Sequence, residues 1–181
     1  MPRPVIEDSE NLMQYNITDH DFPGLEVRAS TIEGTGLFAT QNFRAGDTLF
    51  FFNEPVCREA DYIAEGISAH PILDKTTARY VGEYLTYDTE IRKLDYFNHS
   101  NDPNILFHCR VAFALRDIKA GEEITADYRY ILIEAETLTD VHTGQVIMGV
   151  DAETALLETT AKLHQVLQFR AQRQIPRAKA A

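Results

Sequence analysis

Residues 96–104 read YFNHSNDPN, and the fold turns on how this stretch is understood. Asn, Asp and Ser side chains compete for backbone hydrogen bonds and break regular structure, while Pro103 removes a backbone donor. Taken alone, the stretch is a turn former, and a surface loop with a stiff end accounts for it. The alternative is a polar knot in a buried place, where these side chains hold other segments or a ligand. The flanking sequence bears on both.

With 181 residues, 44% of them hydrophobic and including ten Phe and eight Tyr, the chain is expected to form one domain with a real core. No apolar run approaches the roughly 18 residues of a membrane span. The first residues, MPRPVIEDSENL, lack the apolar stretch of a secretory signal. Cys57 and Cys109 lie far apart and make neither a disulfide framework nor a CxxC-type metal site. An intracellular setting, cytoplasmic or nuclear, is therefore expected. The formal net charge of −11 opposes direct binding to nucleic acid, which needs a basic face. It suits a cationic partner, and solubility alone explains it equally well. Residues 170–181 carry four basic residues and no acidic ones, so residues 1–169 hold −15 (−11 minus 4).

Along the chain, residues 1–24 form a polar lead-in broken by Pro2, Pro4, Pro23 and Gly24. From Leu25 the texture changes to short strand-like runs joined by Gly-containing turns: LEVRAS, IEGTGLFAT, then DTLFFFNEPV after the turn FRAGD. Residues 58–96 predict a helical insert, because Tyr80, Tyr84, Tyr87, Ile91 and Leu94 recur at spacings of four, three, four and three. Gly82 weakens that helix. Two further strands follow in ILFHCRVAFALRDI, and ITADYRYILIEA returns to an extended pattern that would turn Tyr128 and Tyr130 to one side. TLTDVHTGQVIMGV predicts a hairpin turning near Thr143 and Gly144. Residues 151–169 predict an amphipathic helix capped by Asp151, with Leu156, Leu163 and Leu167 on one face and Glu158 paired with Lys162. The expected class is mainly β with a helical insert (α+β).

In chain order, EGTGLFAT, AGD, FNHSNDPN and ALRDIKAGEEITADYRY together resemble the SET domain of protein lysine methyltransferases, over about residues 25–130. The resemblance implies small sheets and a pseudoknot in which the Tyr128 segment threads the Asn98 segment. It implies S-adenosylmethionine lying against Glu33, Gly34, Thr35, Gly36, Leu37 and Phe38 and touching Asn98 and His99. Tyr128 would be the catalytic tyrosine, with Tyr130, Ala126 and Tyr96 as walls of the substrate channel. The acceptor would be a lysine of a protein or peptide, whose amine must shed its proton before attack. Desolvation beside a positive sulfonium favours that loss, so no strong base is required.

Two departures stand out. Asn101 occupies the place of a zinc-binding Cys of many relatives, and no Cys follows Cys109. No metal is therefore expected, and residues 131–170 are expected to cap the site, leaving 171–181 as a basic tail. Ala126 stands where several relatives carry an aromatic residue, which would leave space for more methyl groups or another acceptor. A small-molecule enzyme on the same scaffold and a non-catalytic binding module stay open as alternatives.

Overall fold

The computed structural model describes residues 22–52, 54–64, 76–134, 136–140 and 143–174. Most of the expected lead-in (1–21) and the end of the basic tail (175–181) lie outside these described residues. In chain order the strands are β1 (Leu25–Ala29), β2 (Thr35–Ala39), β3 (Thr48–Phe51), β4 (Val56–Arg58), β5 (Ala78–Val81), β6 (Tyr84–Thr86), β7 (Asn98–His99), β8 (Ile105–His108), β9 (Val111–Ala114), β10 (Thr125–Ala126), β11 (Thr137–Thr139) and β12 (Val146–Met148). Helix α1 covers Glu59–Ala64 and helix α2 covers Ala152–Gln174. Among the described residues the strands make five small sheets, ordered β1-β2, β3-β9-β8, β4-β6-β5, β7-β10 and β11-β12.

The expected helix through Tyr80, Tyr84 and Leu94 is absent. β5 and β6 instead form an antiparallel hairpin that turns at Gly82, whose φ is +52°. A positive φ suits glycine and disfavours other residues. The surrounding Thr, Val and Tyr residues favour a half-buried pleated surface over a helix. Helical backbone in residues 78–96 is confined to a single 3-10 turn, Lys93–Tyr96. Arg79, only 4% exposed, locks the hairpin to the body by donating to Gly82 O (2.8 Å) and Leu132 O (3.1 Å) and pairing with Glu59 (3.2 Å).

Aromatic residues dominate the core. Phe50 meets the rings of Phe22, Phe52 and Phe97 at centroid distances of 6.4, 5.6 and 6.1 Å, and Phe107 joins Phe52 at 5.4 Å. Such contacts add to area burial through edge-to-face and offset geometry. Phe22 falls within the expected lead-in, so the folded body begins before Leu25.

The opening stretch forms a partly buried knot, with Phe97 and Asn104 buried and Asn101 and Asp102 exposed. β7 pairs in parallel with β10, Asn98 opposite Thr125 and His99 opposite Ala126. The knot is fastened by Asn104, which is 2% exposed. Its Nδ2 donates to Glu123 O at 2.7 Å, and its Oδ1 accepts the Thr125 N–H at 2.9 Å. One amide thereby satisfies a donor and an acceptor of a strand buried away from water.

The hairpin β11–β12 turns where expected, with Gly144 at φ +68°. Asp151 caps α2, accepting the Thr154 N–H at 2.8 Å. The buried face of that helix differs from the expected one. Ala155, Thr159 and Val166 face the body, while Leu156 and Leu167 are 37% and 41% exposed. Small side chains let the helix approach closely. Thr159 Oγ1 bonds His108 Nδ1 at 2.9 Å, and a Cβ at Gly46 would come within 3.0 Å of Val166 O.

Replacing Asn104 with Ala would take this partner from the buried Thr125 N–H and from the partly buried Glu123 carbonyl. The expected loss is about 2–6 kcal/mol at roughly 1–3 kcal/mol per orphaned group, read from urea unfolding; a loss below about 1 kcal/mol contradicts the fastening role.

Candidate functional site

The site is organised around the carboxylate of Glu123. Its Oε1 accepts from Asn98 Nδ2 at 2.7 Å, and both its oxygens lie 2.8 Å from Ser30 Oγ. Ser30 Oγ in turn accepts the Ile32 N–H at 2.8 Å. Gly36 lies against the same carboxylate, and a Cβ there would collide with it. Asn98 Nδ2 also reaches Glu33 O at 3.1 Å and Thr35 O at 3.3 Å. One acid therefore joins the Gly-rich turn before β2 to the Asn of the knot.

Tyr128 follows β10 and begins a 3-10 turn, Tyr128–Tyr130. Its N–H donates to His99 Nδ1 at 3.2 Å and its hydroxyl to Phe97 O at 2.5 Å. Burial, with the nearby charges of Glu33 and Glu123, raises the phenol well above its ordinary pKa, so it stays neutral. The His99 ring accepts at Nδ1, and its buried Nε2 has no partner among the described residues.

The 3-10 turn overturns the expectation that Tyr128 and Tyr130 share one side of a strand. Tyr130 points to α2, where its hydroxyl donates to Glu158 and its ring lies 5.7 Å from Lys162 Nζ. Glu158 and Lys162, expected as a pair with each other, thus both engage Tyr130. Burial and the Glu158 carboxylate push the Tyr130 phenol up to about 12.

A cavity of about 620 Å³ opens beside Tyr128. Glu33, Gly34, Thr35 and Asn98 line it, together with the rings of Phe52, Tyr96, Phe97 and Tyr128. Glu54, Thr86 and Asp95 supply further polar lining. Several expected site residues stand outside it. Tyr130 faces α2, and Ala126, 1% exposed, is core, so neither walls this cavity. Leu37 is fully buried, and Phe38 lies under the Arg28 guanidinium at 3.8 Å. His99 faces a smaller adjoining space of about 40 Å³ with Glu33, Tyr128 and Leu138. Of the expected cap, Ile131, Leu132 and the hairpin residue Leu138 line the cavity, Leu138, Thr139, Asp140 and Ile147 line the smaller space at His99, and no α2 residue lines either among the described residues. Asn101 holds that hairpin to the knot, donating to Gln145 Oε1 at 3.3 Å.

The sequence reading missed Glu123, Ser30, Phe97, Glu54 and Asp95. Glu123 lay inside the GEEIT stretch already singled out, so its signal was present. Glu54 and Asp95 had none, since they converge from residues far apart in the chain. Burial raises Glu54 above the ordinary carboxylate range. For Asp95, burial and then the Glu54 and Asp88 charges push the carboxyl up to about 7, against the Arg92 N–H at 2.7 Å.

Residues 34–129, more than half of the chain, match the family model of the SET domain. The chain belongs to the SET domain family, whose members are in general methyltransferases that use S-adenosylmethionine. No curated protein matches the chain.

Burial holds the Asp95 carboxyl at about 7 in the native state, against 3.8 for a carboxyl in the unfolded chain. Its ionisation therefore opposes folding increasingly as pH rises from about 4 to 7. Asp95→Asn removes that cost, so the variant should gain about 1–3 kcal/mol over wild type at pH 8 and little at pH 4. Chemical unfolding at both pH values checks this; an equal difference at the two contradicts the raised carboxyl.

Proposed function

We propose that the protein transfers a methyl group from S-adenosylmethionine to a lysine side chain of a protein or peptide. The observation that carries this is the Tyr128 hydroxyl, fixed on Phe97 O inside an aromatic, acid-lined cavity beside Asn98. The lining suits the cofactor's chemistry. Its volume is in the range of small-molecule sites. Rings and carboxylates favour a sulfonium and an ammonium, and no Lys, Arg or His lines it among the described residues. Glu33, Gly34, Thr35 and Asn98 would hold the cofactor, which when bound supplies an already activated methyl group.

What remains for the chain is alignment and proton control. Tyr128 donates to Phe97 O, which leaves the lone pairs of its oxygen to accept an N–H from an incoming amine. A phenol held neutral cannot serve as a strong base, so its part is orientation. Tyr96 and Phe97 line the space that the alkyl stem would take and exclude water around the amine, which lowers its pKa. The site is closed in this reading without zinc, the Asn101–Gln145 bond tying the hairpin to the knot where many relatives place a zinc-binding Cys. A small-molecule acceptor has no specific support, because the space expected at Ala126 is filled by core packing.

Tyr128→Phe should bind S-adenosylmethionine with unchanged affinity by calorimetry. Methyl transfer to lysine peptides, followed by mass spectrometry, should fall roughly 100-fold or more, the usual order for a lost positioned hydrogen bond at a reacting centre. Undiminished turnover contradicts the role of the hydroxyl.

A further inference from the structure

We propose that His99 is the positioning residue of Tyr128: its neutral imidazole, protonated at Nε2, accepts the Tyr128 N–H at Nδ1 and fixes the backbone that carries the hydroxyl. The bearing of this hold on turnover rests on the methyl transfer proposed above; the hold itself does not.

The pairing of β7 with β10 ends where this bond begins. His99 lies opposite Ala126, and the Ser100 N–H donates to Ala126 O at 3.0 Å. Past Ala126 the chain leaves the strand and enters the 3-10 turn Tyr128–Tyr130. The first N–H groups of such a turn have no acceptor within it and need one from outside. Asp127 Oδ1 accepts the Arg129 N–H at 3.1 Å, and Asp127 O accepts the Tyr130 N–H at 3.2 Å. The Tyr128 N–H goes to the imidazole of His99, also at 3.2 Å.

A backbone amide can only donate, so the ring nitrogen that meets it carries no proton. The imidazole is therefore the neutral tautomer with its proton on Nε2, because a proton on Nδ1 would set two donors against each other. Nε2 is buried without a partner among the described residues, so the ring acts on the chain through Nδ1. The grip on Tyr128 comes from one short stretch. Phe97 O accepts its hydroxyl at 2.5 Å while His99 takes its N–H. The Phe97 ring meets the Tyr128 ring edge-on at 6.2 Å, and the His99 ring meets it at 5.5 Å with a tilt of 55°. Asn98, between them, is bonded to Glu123 instead. Tyr128 is thus held at both ends, and a backbone released at one end misplaces the hydroxyl at the other, an error of the kind that costs turnover heavily.

Nitrogen-15 NMR of the full chain with labelled histidine reads the tautomer. The His99 ring should show a bare Nδ1, a protonated Nε2 and a scalar coupling from Nδ1 to the Tyr128 amide nitrogen; a protonated Nδ1 would overturn the proposal. Variants then separate the acceptor from the ring. His99→Asn puts an amide oxygen near the place of Nδ1, His99→Gln puts its amide near that of Nε2, and His99→Phe keeps a ring alone. Hydrogen exchange at the Tyr128 amide should stay near wild type in His99→Asn and quicken roughly tenfold or more in the other two. At saturating S-adenosylmethionine, kcat for lysine peptides should follow the same order, falling roughly 10–100-fold in His99→Gln and His99→Phe. An equal loss in all the variants, or none in any, contradicts the positioning role. The two proposals fail separately. If wild type methylates no lysine peptide, the proposed activity falls, while the tautomer and the exchange order still decide the hold on Tyr128. Lysine methylation that every variant retains removes the positioning role alone.

Discussion

A single carboxylate, that of Glu123, carries the constraint on which the rest depends. It accepts from Asn98 at 2.7 Å and from Ser30 at 2.8 Å, and it occupies the space that a side chain at residue 36 would need. Three stretches far apart in the chain are brought to one point by it. Without an acceptor there, Asn98 would lose its strongest partner and the turn before β2 its anchor. Ser30 relays the same anchor to the Ile32 backbone. The geometry of the cavity beside Tyr128 thus depends on an acid that does not line it.

The knot and the aromatic core support this point from below. Asn104 fastens β10 to the strand system, and Phe97 places its ring in the core while its carbonyl receives the Tyr128 hydroxyl. Phe97 therefore serves two purposes, packing through its ring and orientation through its backbone. α2 lies elsewhere, held by Thr159 on His108 and by Tyr130 on Glu158. It braces the body and the turn after Tyr128. The cavity, by contrast, is lined mostly by the knot, the Gly-rich turn and the β5–β6 region.

Much of this was legible in residue types. The breaker-rich YFNHSNDPN stretch, the Gly turn, the second hairpin and the Asp151 cap all act through local chemistry, and the structure has them where expected. The failures have a common cause. Tyr80, Tyr84 and Leu94 repeat with helical spacing, yet Gly82 turns the chain and the residues between favour pleated backbone. In α2 the leucines suggested the buried face, but close approach to Gly46 and His108 selected Ala155, Thr159 and Val166 instead. Tyr130 followed an alternation that a one-turn 3-10 segment abolished. Glu54 and Asp95 were illegible because nothing local marks an acid that burial will change.

The most direct measurement is a double-mutant cycle in S-adenosylmethionine affinity, by calorimetry on wild type, Glu123→Ala, Asn98→Ala and the double variant. A clamp acting through the Glu123–Asn98 bond predicts a coupling of about 1–3 kcal/mol, with the double variant little weaker than either single one. Additive losses within about 0.3–0.5 kcal/mol would contradict it.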